Sequence, residues 1–480
     1  MRIAVVHGYF LGDSGSAIYT RELAREFTRQ GHNVTLICQD QSAERYEFID
    51  SLYEFGPDDS GMHTVFERDP VHDGSCRMVR PFIGDRLLTY VAGPFPPFNA
   101  VPFQDATDEM ITAYVDANIR DMAVIFSRWP QDLVQANHAV MQPYLVKKAL
   151  RDGTPYVVTI HGSELNFTVR EDERMVPYML KGLEGAAAIA ALSETSYAEV
   201  IGLAGEHGLD ITSRTVILPP GVDTGLFVPL ESREEALGGI SQAIDPELDD
   251  IAVFAGRLLW TKGLQYMVAA LPLILQERPR FQLIIVGDGP MRVPLENLIK
   301  TLEAGNLADA RALIEKEQEL RAVEDYGPVI PEMSEEEEKI YQVSALGDLS
   351  RRIHFTGHLS HQHLAPLFIA GDVSLAPSVF PEAFGLVSIE ALAAGALPVA
   401  TYQTGLRTPL DLIADSLDDP GFRMLAPGVS LTRELSIMLT GIFERYPTRD
   451  LDFRNRLHDI AGSSYSWAQL VRRYLEWSRA

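Results

Sequence analysis

The chain has 480 residues, 46% of them hydrophobic, and sets 41 Lys and Arg against 67 Asp and Glu for a formal net charge of −26. That length suggests two or three domains with sizeable cores, and so acidic a chain lacks the basic face that a phosphate backbone requires, which argues against nucleic acid as a partner. The apolar runs are too short to span a bilayer. No cleavable hydrophobic region follows Met1 to Gly8, and Cys38 and Cys76 alone fit a reducing compartment with neither a disulfide framework nor a zinc site. A soluble, cytoplasmic protein without a metal is expected.

In chain order, Ile3 to Val6 reads as a strand ending in the glycine-dotted stretch Gly8 to Ser16, after which Tyr19, Leu23 and Phe27 recur at helical spacing up to Gly31. Val34 to Cys38 is apolar on both faces, as a strand between helix layers must be, so the opening is a βαβ unit. The pattern returns at Tyr156–Ile160, Ala187–Ala191, Thr215–Leu218, Ile251–Ala255, Gln282–Val286, Arg352–Phe355, Val373–Ala376 and Leu397–Ala400. One sheet with so many strands would be unusual; two doubly wound α/β domains are expected, with the hinge at Pro219-Pro220-Gly221 and a charged connector from Glu231 to Asp250.

Two stretches interrupt the alternation. Gly93 to Phe103, rich in proline and phenylalanine, can be neither a regular helix nor a central strand; a loop folded over the core and a lid over a ligand are both open readings. Thr301 to Ser350 holds 13 acidic and 4 basic residues, including Glu335 to Glu338, and reads as solvated helices or a flexible insertion.

The residues able to carry chemistry follow strand ends. Gly256-Arg257 with Lys262-Gly263 puts two cations after one strand and near a helix start, where they and the helix amides could neutralise a diphosphate; two surface cations paired with carboxylates would look the same. Ser378 to Gly395 follows another strand. There Glu382 lies in the loop, Glu390 in the first turns of a helix, and the amides of Phe384, Gly385 and Leu386 stand free at the helix start. Carboxylates accept from paired sugar or ribose hydroxyls, although a glutamate early in a helix is also favoured by the dipole. His161, in His161-Gly162-Ser163-Glu164, could hydrogen-bond a sugar hydroxyl, move a proton, or be structural. Gly287-Asp288-Gly289-Pro290 is a tight turn before a helix.

Taken in order, the Gly15 loop, His161 to Glu164, Leu218 to Asp223, Gly256-Arg257 with Lys262-Gly263, Gly287 to Pro290, and Glu382 through Glu390 resemble the retaining GT-B glycosyltransferases of family 4, over nearly the whole chain. The resemblance implies two Rossmann-like domains facing across a cleft. Residues 1–220, joined by a C-terminal helix at about 465–480, would bind the acceptor, and residues 221–464, with the acidic insertion 301–350, would bind the nucleotide sugar. It implies a hexosyltransferase-like enzyme that moves a sugar from a nucleoside-diphosphate sugar to a hydroxyl, with neither metal nor cofactor. Arg257 and Lys262 would hold the diphosphate, Glu390 the ribose, Glu382 the donor sugar beside the amides of Phe384, Gly385 and Leu386, and His161 the sugar from the first domain. Gly15 would approach the phosphates, and Gly357 and His358 would lie near the base. Partners would be the nucleotide-sugar donor and a small, glycan or lipid acceptor. No membrane patch is conspicuous, and a monomer or homodimer is expected. A GT-B epimerase or phosphorylase, a non-catalytic sugar-nucleotide binder and a dinucleotide-binding dehydrogenase are the alternatives.

Overall fold

The computed structural model describes all residues except 13, 58–60, 92, 94, 152, 238–243, 246–248, 319–325, 343–348 and 478–480. It divides into Met1–Gly221 with Trp467–Ala480, and Val222–Ser466.

The first unit contains β1 (Arg2–Val6), β2 (Asn33–Ile37), β3 (Ser51–Phe55), β4 (Met62–Glu67), β5 (Cys76–Arg80), β6 (Arg86–Thr89), β7 (Asn99–Pro102), β8 (Leu133–Asn137), β9 (Tyr156–Ile160), β10 (Ala188–Ala191) and β11 (Thr215–Ile217). Nine of these form one sheet in the order β11-β10-β9-β8-β1-β2-β5-β3-β4, parallel throughout except for the β3–β4 pair. The central strands are buried along their length; β9, Tyr-Val-Val-Thr-Ile, has no exposed residue, as helices on both faces require. Each such Val or Ile side chain contributes about 1.5–3 kcal/mol by leaving water. The helix Trp467–Trp477 packs on the helix Gly15–Arg29, and the hydroxyl of Tyr474 bonds those of Tyr19 (2.7 Å) and Thr159 (2.5 Å).

In the proline- and phenylalanine-rich stretch, Asn99–Pro102 is a short strand outside the central sheet, paired parallel with β6 in a separate two-stranded sheet. Phe103 is fully buried and Phe95 stacks edge-on against Phe10 at 5.9 Å. This part of the stretch is folded over the core of the first unit, with Phe103 inside it and Phe95, Phe98 and Val101 packed against it.

The second unit contains β12 (Asp250–Ala255), β13 (Phe281–Val286), β14 (Ile353–Gly357), β15 (Val373–Ala376) and β16 (Leu397–Ala400), all parallel, in the order β14-β13-β12-β15-β16. Each sheet thus has a place where the winding reverses, between β12 and β15 here and between β1 and β8 in the first unit. In open α/β sheets the crevice beyond the carboxyl ends of two such strands is where ligands bind.

Two buried arginines hold the far end of the second sheet. Arg454 donates to the carbonyls of Gly371 and Ala394 (both 2.9 Å) and to that of Ile369, and Arg233 bonds the Ala370 carbonyl (2.8 Å) and the Asp372 carboxylate (3.0 Å). They complete the C-terminal ends of the helices His361–Ala370 and Leu386–Ala393, whose last carbonyls have no partner within the helix. The acidic segment supplies the helices Leu307–Gln318 and Glu335–Gln342, the second tied to the domain by the Tyr341 hydroxyl on the Ala269 carbonyl (2.7 Å) and by Arg433 on Glu337 (2.9 Å). Of the expected connector, Arg233–Leu237 is helical, and residues 238–243 and 246–248 lie outside the described set. Among the described residues, no helix is long and apolar enough to cross a membrane.

Candidate functional site

The reversal between β12 and β15 brings together the two segments expected to hold a donor. After β12 the chain makes a short turn, Trp260–Lys262, closed by Gly263 at φ 71°. A Cβ at Gly263 would stand 1.7 Å from the Pro377 carbonyl oxygen, so only glycine lets this turn touch the loop after β15. The contact sets Lys262 Nζ against Glu382 Oε1 in an ion pair, and Ser378 Oγ donates to the same oxygen at 2.7 Å. The Glu382 backbone is held too: its N–H donates to Thr404 Oγ1 (3.0 Å), and its carbonyl accepts from Gly405 (2.9 Å). The side chains of Lys262 and Glu382 are 31% and 23% exposed, and a pair this open contributes about 1 kcal/mol or less. An anion reaching Lys262 and a hydroxyl reaching Glu382 can both compete with it.

Arg257, two residues beyond β12, is exposed and makes no ion pair among the described residues. The helix Leu386–Ala393 starts at Gly385, and the amides of Phe384, Gly385 and Leu386 donate to no acceptor among the described residues. Phe384 turns its ring inward against Tyr465 (5.5 Å), so only its amide is available. Glu390 lies in the second turn of that helix, 5% exposed, with its Oε1 3.0 Å from Nε2 of His361. At the end of β14 the Gly357 carbonyl accepts from Gly287 (2.8 Å), and His358 follows, exposed. Arg257, Lys262, Glu382 and the helix start therefore border one strand-end crevice, while Gly357 and His358 end a strand two places away in the same sheet.

Gly15 and His161 belong to the first unit. Gly15 is the first residue of the helix Gly15–Arg29, exposed, after Ser14, whose hydroxyl caps Ala17 N–H. His161 is 7% exposed at the end of β9, and its Nε2 lies 2.8 Å from Asn137 Oδ1. Asn137 Nδ2 donates to the Val6 carbonyl (3.1 Å) and to Gln135 (3.0 Å), so Oδ1 can only accept and His161 Nε2 carries the proton. Nδ1 is then the free acceptor. Burial, reinforced by His138 and His7, holds the His161 pKa well below the usual histidine range. The ring is neutral and suited to accept from a hydroxyl rather than to supply an acidic proton.

Around His161 stands a cluster that sequence reasoning left unassigned. The ring of His138 lies 4.7 Å from that of His161, 4.5 Å from that of Tyr90 and 5.5 Å from that of His7, which it stacks. Glu164, fully buried, accepts from the N–H groups of Ala139 and His161 (both 3.0 Å) and from Nδ1 of His138 (3.2 Å). Burial alone would raise its pKa. The bond from His138 and the nearby positive ends of both imidazoles outweigh that and bring it to about 2. His138 and Met141 both adopt left-handed backbone, φ 71° and 67°, a conformation costing about 1–2 kcal/mol in a residue with a side chain.

Three residues of these sites escaped sequence reasoning for a common reason. His361, His138 and Ser378 acquire their roles from partners 29, 26 and 4 positions away. The strand β8 that delivers His138 contains Gln135 and Asn137, which look solvent-facing in sequence although both are buried and bonded to each other. A usable signal was the polar pair Asn137-His138 at the end of Leu133-Val134, the same strand-end placement that drew notice to His161.

Comparison with known proteins accounts for both units. Residues 14–221 match a model of the glycosyl transferase 4-like domain, and residues 241–309 and 308–418 match models of glycosyl transferases group 1. A D-inositol 3-phosphate glycosyltransferase of Segniliparus rotundus is 25% identical over 68% of this chain, a match that spans 62% of that relative's length. Sucrose-phosphate synthase from Thermosynechococcus elongatus superposes with a TM-score of 0.63 at 19% identity, over 100% of this chain and 98% of the other. The Anabaena protein HepE, solved in complex with UDP and glucose, gives 0.59 at 16% identity, over 99% and 98%. Domain matches along the chain and the two parallel-sheet units agree: this protein belongs to the group 1 glycosyltransferases of family 4 and has the GT-B fold.

Proposed function

We propose that the protein transfers a sugar, with retention of anomeric configuration, from a nucleoside-diphosphate sugar to a hydroxyl acceptor, and does so without a metal or cofactor. The observation that carries this reading is the meeting of Lys262 and Glu382 at the β12–β15 reversal, with Arg257, which follows β12, in no ion pair among the described residues and three amides without acceptors among them at the start of the helix Leu386–Ala393. Arg257, Lys262 and those amides supply fixed positive potential for a diphosphate, and the same groups stabilise the charge that develops on the departing phosphate as the glycosidic C–O bond breaks. Glu382, once Lys262 turns to the phosphate, accepts from hydroxyls of the donor sugar. Glu390, oriented by His361, accepts from the ribose, and Gly357 and His358 lie on the side of the base. The retained configuration follows from attack of the acceptor oxygen on the face the phosphate leaves, its proton passing to the phosphate; no side chain is assigned as nucleophile.

The names of similar proteins support the class: a glycosyltransferase acting on D-inositol 3-phosphate, and a structure holding UDP and glucose. We assign the acceptor to the first unit, including Gly15 and His161, and place the protein in the cytoplasm. The test is incubation with UDP-, GDP- and ADP-sugars, following thermal shift and nucleotide release. One nucleotide class should raise Tm and be consumed. If Arg257→Ala and Lys262→Ala leave nucleotide binding and turnover unchanged, the donor assignment fails.

A further inference from the structure

Glu382 sits in the irregular segment between β15 and the helix Leu386–Ala393, where neither strand nor helix bonds fix its backbone. The loop after β16 does so instead. The Ser378 carbonyl accepts from Thr401 Oγ1 (2.6 Å) and from Gln403 Nε2, the Glu382 N–H donates to Thr404 Oγ1 (3.0 Å), and the Glu382 carbonyl accepts from the Gly405 N–H (2.9 Å). Residues 378–382 are therefore fastened at both ends to residues 401–405. The fit is close: a Cβ at Gly405 would stand 2.1 Å from the Ala383 carbonyl oxygen. Thr404 meets Glu382 from left-handed backbone, φ 40°. Among the described residues four with a side chain lie in that region, and Thr404 is the one branched at Cβ, the type that enters it least readily.

A glycine would take this φ without strain, so what threonine adds lies in its side chain. Its Oγ1 is the acceptor for the Glu382 N–H, a donor that has no other partner among the described residues. The carboxylate itself is held by Lys262 and by Ser378 Oγ (2.7 Å). Once a diphosphate takes Lys262, Ser378 and the backbone clamp are what remain to keep Glu382 aimed. We propose that Thr404 is a positioning residue for Glu382: its hydroxyl oxygen fixes the backbone from which the carboxylate reaches the donor sugar, and its strained backbone is what places that oxygen. The inference rests on the reading of Glu382 as the group that holds the sugar. A fixed group stabilises a transition state because it needs no reorganisation there, so loss of the clamp falls on kcat and leaves nucleotide affinity in place.

Three substitutions separate the hydroxyl from the strain. Thr404→Gly removes both, Thr404→Ala removes the hydroxyl and keeps most of the strain, and Thr404→Ser keeps the hydroxyl. In the full chain without ligand, deuterium exchange read by mass spectrometry should speed about fivefold over residues 378–385 in Thr404→Gly and Thr404→Ala, as for the loss of one hydrogen bond, and much less in Thr404→Ser. With the member of the UDP-, GDP- and ADP-sugar panel that the wild type consumes, kcat should fall about 10- to 100-fold in Thr404→Gly and Thr404→Ala, and Thr404→Ser should recover most of it. The Kd of the matching nucleoside diphosphate should stay within about twofold throughout. Tm should be no lower in Thr404→Gly than in Thr404→Ala, whereas a merely structural threonine would make kcat follow Tm. Unchanged exchange over residues 378–385 in Thr404→Gly, or a kcat there within about twofold of the wild type, overturns the inference. Glu382→Ala, measured beside these, keeps the two readings apart. If it abolishes transfer and Thr404→Gly does not, Thr404 alone is misassigned; if it leaves transfer unchanged, the Glu382 reading has failed and this one with it. In the Glu382→Ala background Thr404→Gly should lower kcat no further, since residues acting as one unit are not additive; a further loss would mean that Thr404 acts elsewhere.

Discussion

The two strand reversals use the same geometry for opposite electrostatics. Between β12 and β15 the side chains are charged and partly exposed, with Arg257 free of ion pairs among the described residues and the Lys262–Glu382 pair open to solvent. Between β1 and β8 they are mostly aromatic or imidazole side chains and buried, and the Glu164 carboxylate accepts from three donors there. A doubly wound sheet fixes where a ligand goes; the residues after each strand decide what it is. A crevice that must release a diphosphate keeps its cations loosely held, because a tightly paired cation would resist exchange. The first unit's reversal instead holds the rings of His7 and His161 buried, with pKa values well below the usual histidine range.

The sharpest way to break the comparison is at Glu382. Glu382→Ala should lower transfer on the order of 1,000-fold, comparable to the loss of one fixed hydrogen-bonding group at a transition state. Nucleotide binding should persist, because Lys262 is then released toward the phosphate, and the melting curve should keep its shape. Transfer within tenfold of the wild type would show that the charged crevice does not hold the sugar.

Acid tests the neutral crevice. Burial holds the His7 and His161 pKa values well below 6.5, and Glu164 is brought from 4.5 to about 2. In each case the unfolded chain binds a proton that the folded one refuses, so stability is complete above about pH 6.5 and falls with pH, first through the histidines and then, below about 4.5, through Glu164. The Glu164 share is on the order of 3 kcal/mol. Calorimetry from pH 7.5 to 3.5 should show Tm dropping across this window, with Glu164→Gln less stable at pH 7.5 and flatter at low pH. A Tm that rises on acidification would mean the cluster is charged in the fold.

Lys262→Ala should come next, weakening nucleotide-sugar binding about 10- to 100-fold by removing a charge-assisted bond. Because the site is partly exposed, that loss should shrink as salt rises.

Much of the architecture was legible because both-face burial leaves its mark: Val34–Ile37, Tyr156–Ile160 and Phe281–Val286 are mostly apolar and buried along their length, and glycine turns follow several strands. The charged crevice was legible for a related reason, since Arg257, Lys262 and Glu382 lie in the connections that follow β12 and β15. The neutral crevice was not. The strand β8 hides behind Gln135 and Asn137, which pair with each other inside the sheet, and β3 and β4 carry half-exposed patterns that resemble loop. His138 is one histidine of 12 until Glu164 meets it. Local pattern reports burial and turns; it cannot report which buried polar group will find which partner across the sheet.

His361 gives the smallest effect and the finest distinction within the charged crevice. Its Nε2 holds Glu390 Oε1 at 3.0 Å, and its ring lies edge-on to Phe227 at 6.1 Å, so its effect on a nucleotide should pass through Glu390. His361→Gln, which removes the imidazole that holds Glu390, should raise KM for the nucleotide sugar about fivefold, the equivalent of about 1 kcal/mol, and leave kcat unchanged. A purely structural role would move Tm and both constants together. The discriminating reagent is a 2′-deoxyribonucleotide sugar: if Glu390 accepts from the ribose, the wild type should favour the ribo form and His361→Gln should narrow that preference, because a carboxylate free to rotate recognises the missing hydroxyl less well. A preference left intact would detach His361 from ribose recognition and leave it as a helix-start residue packed on Phe227.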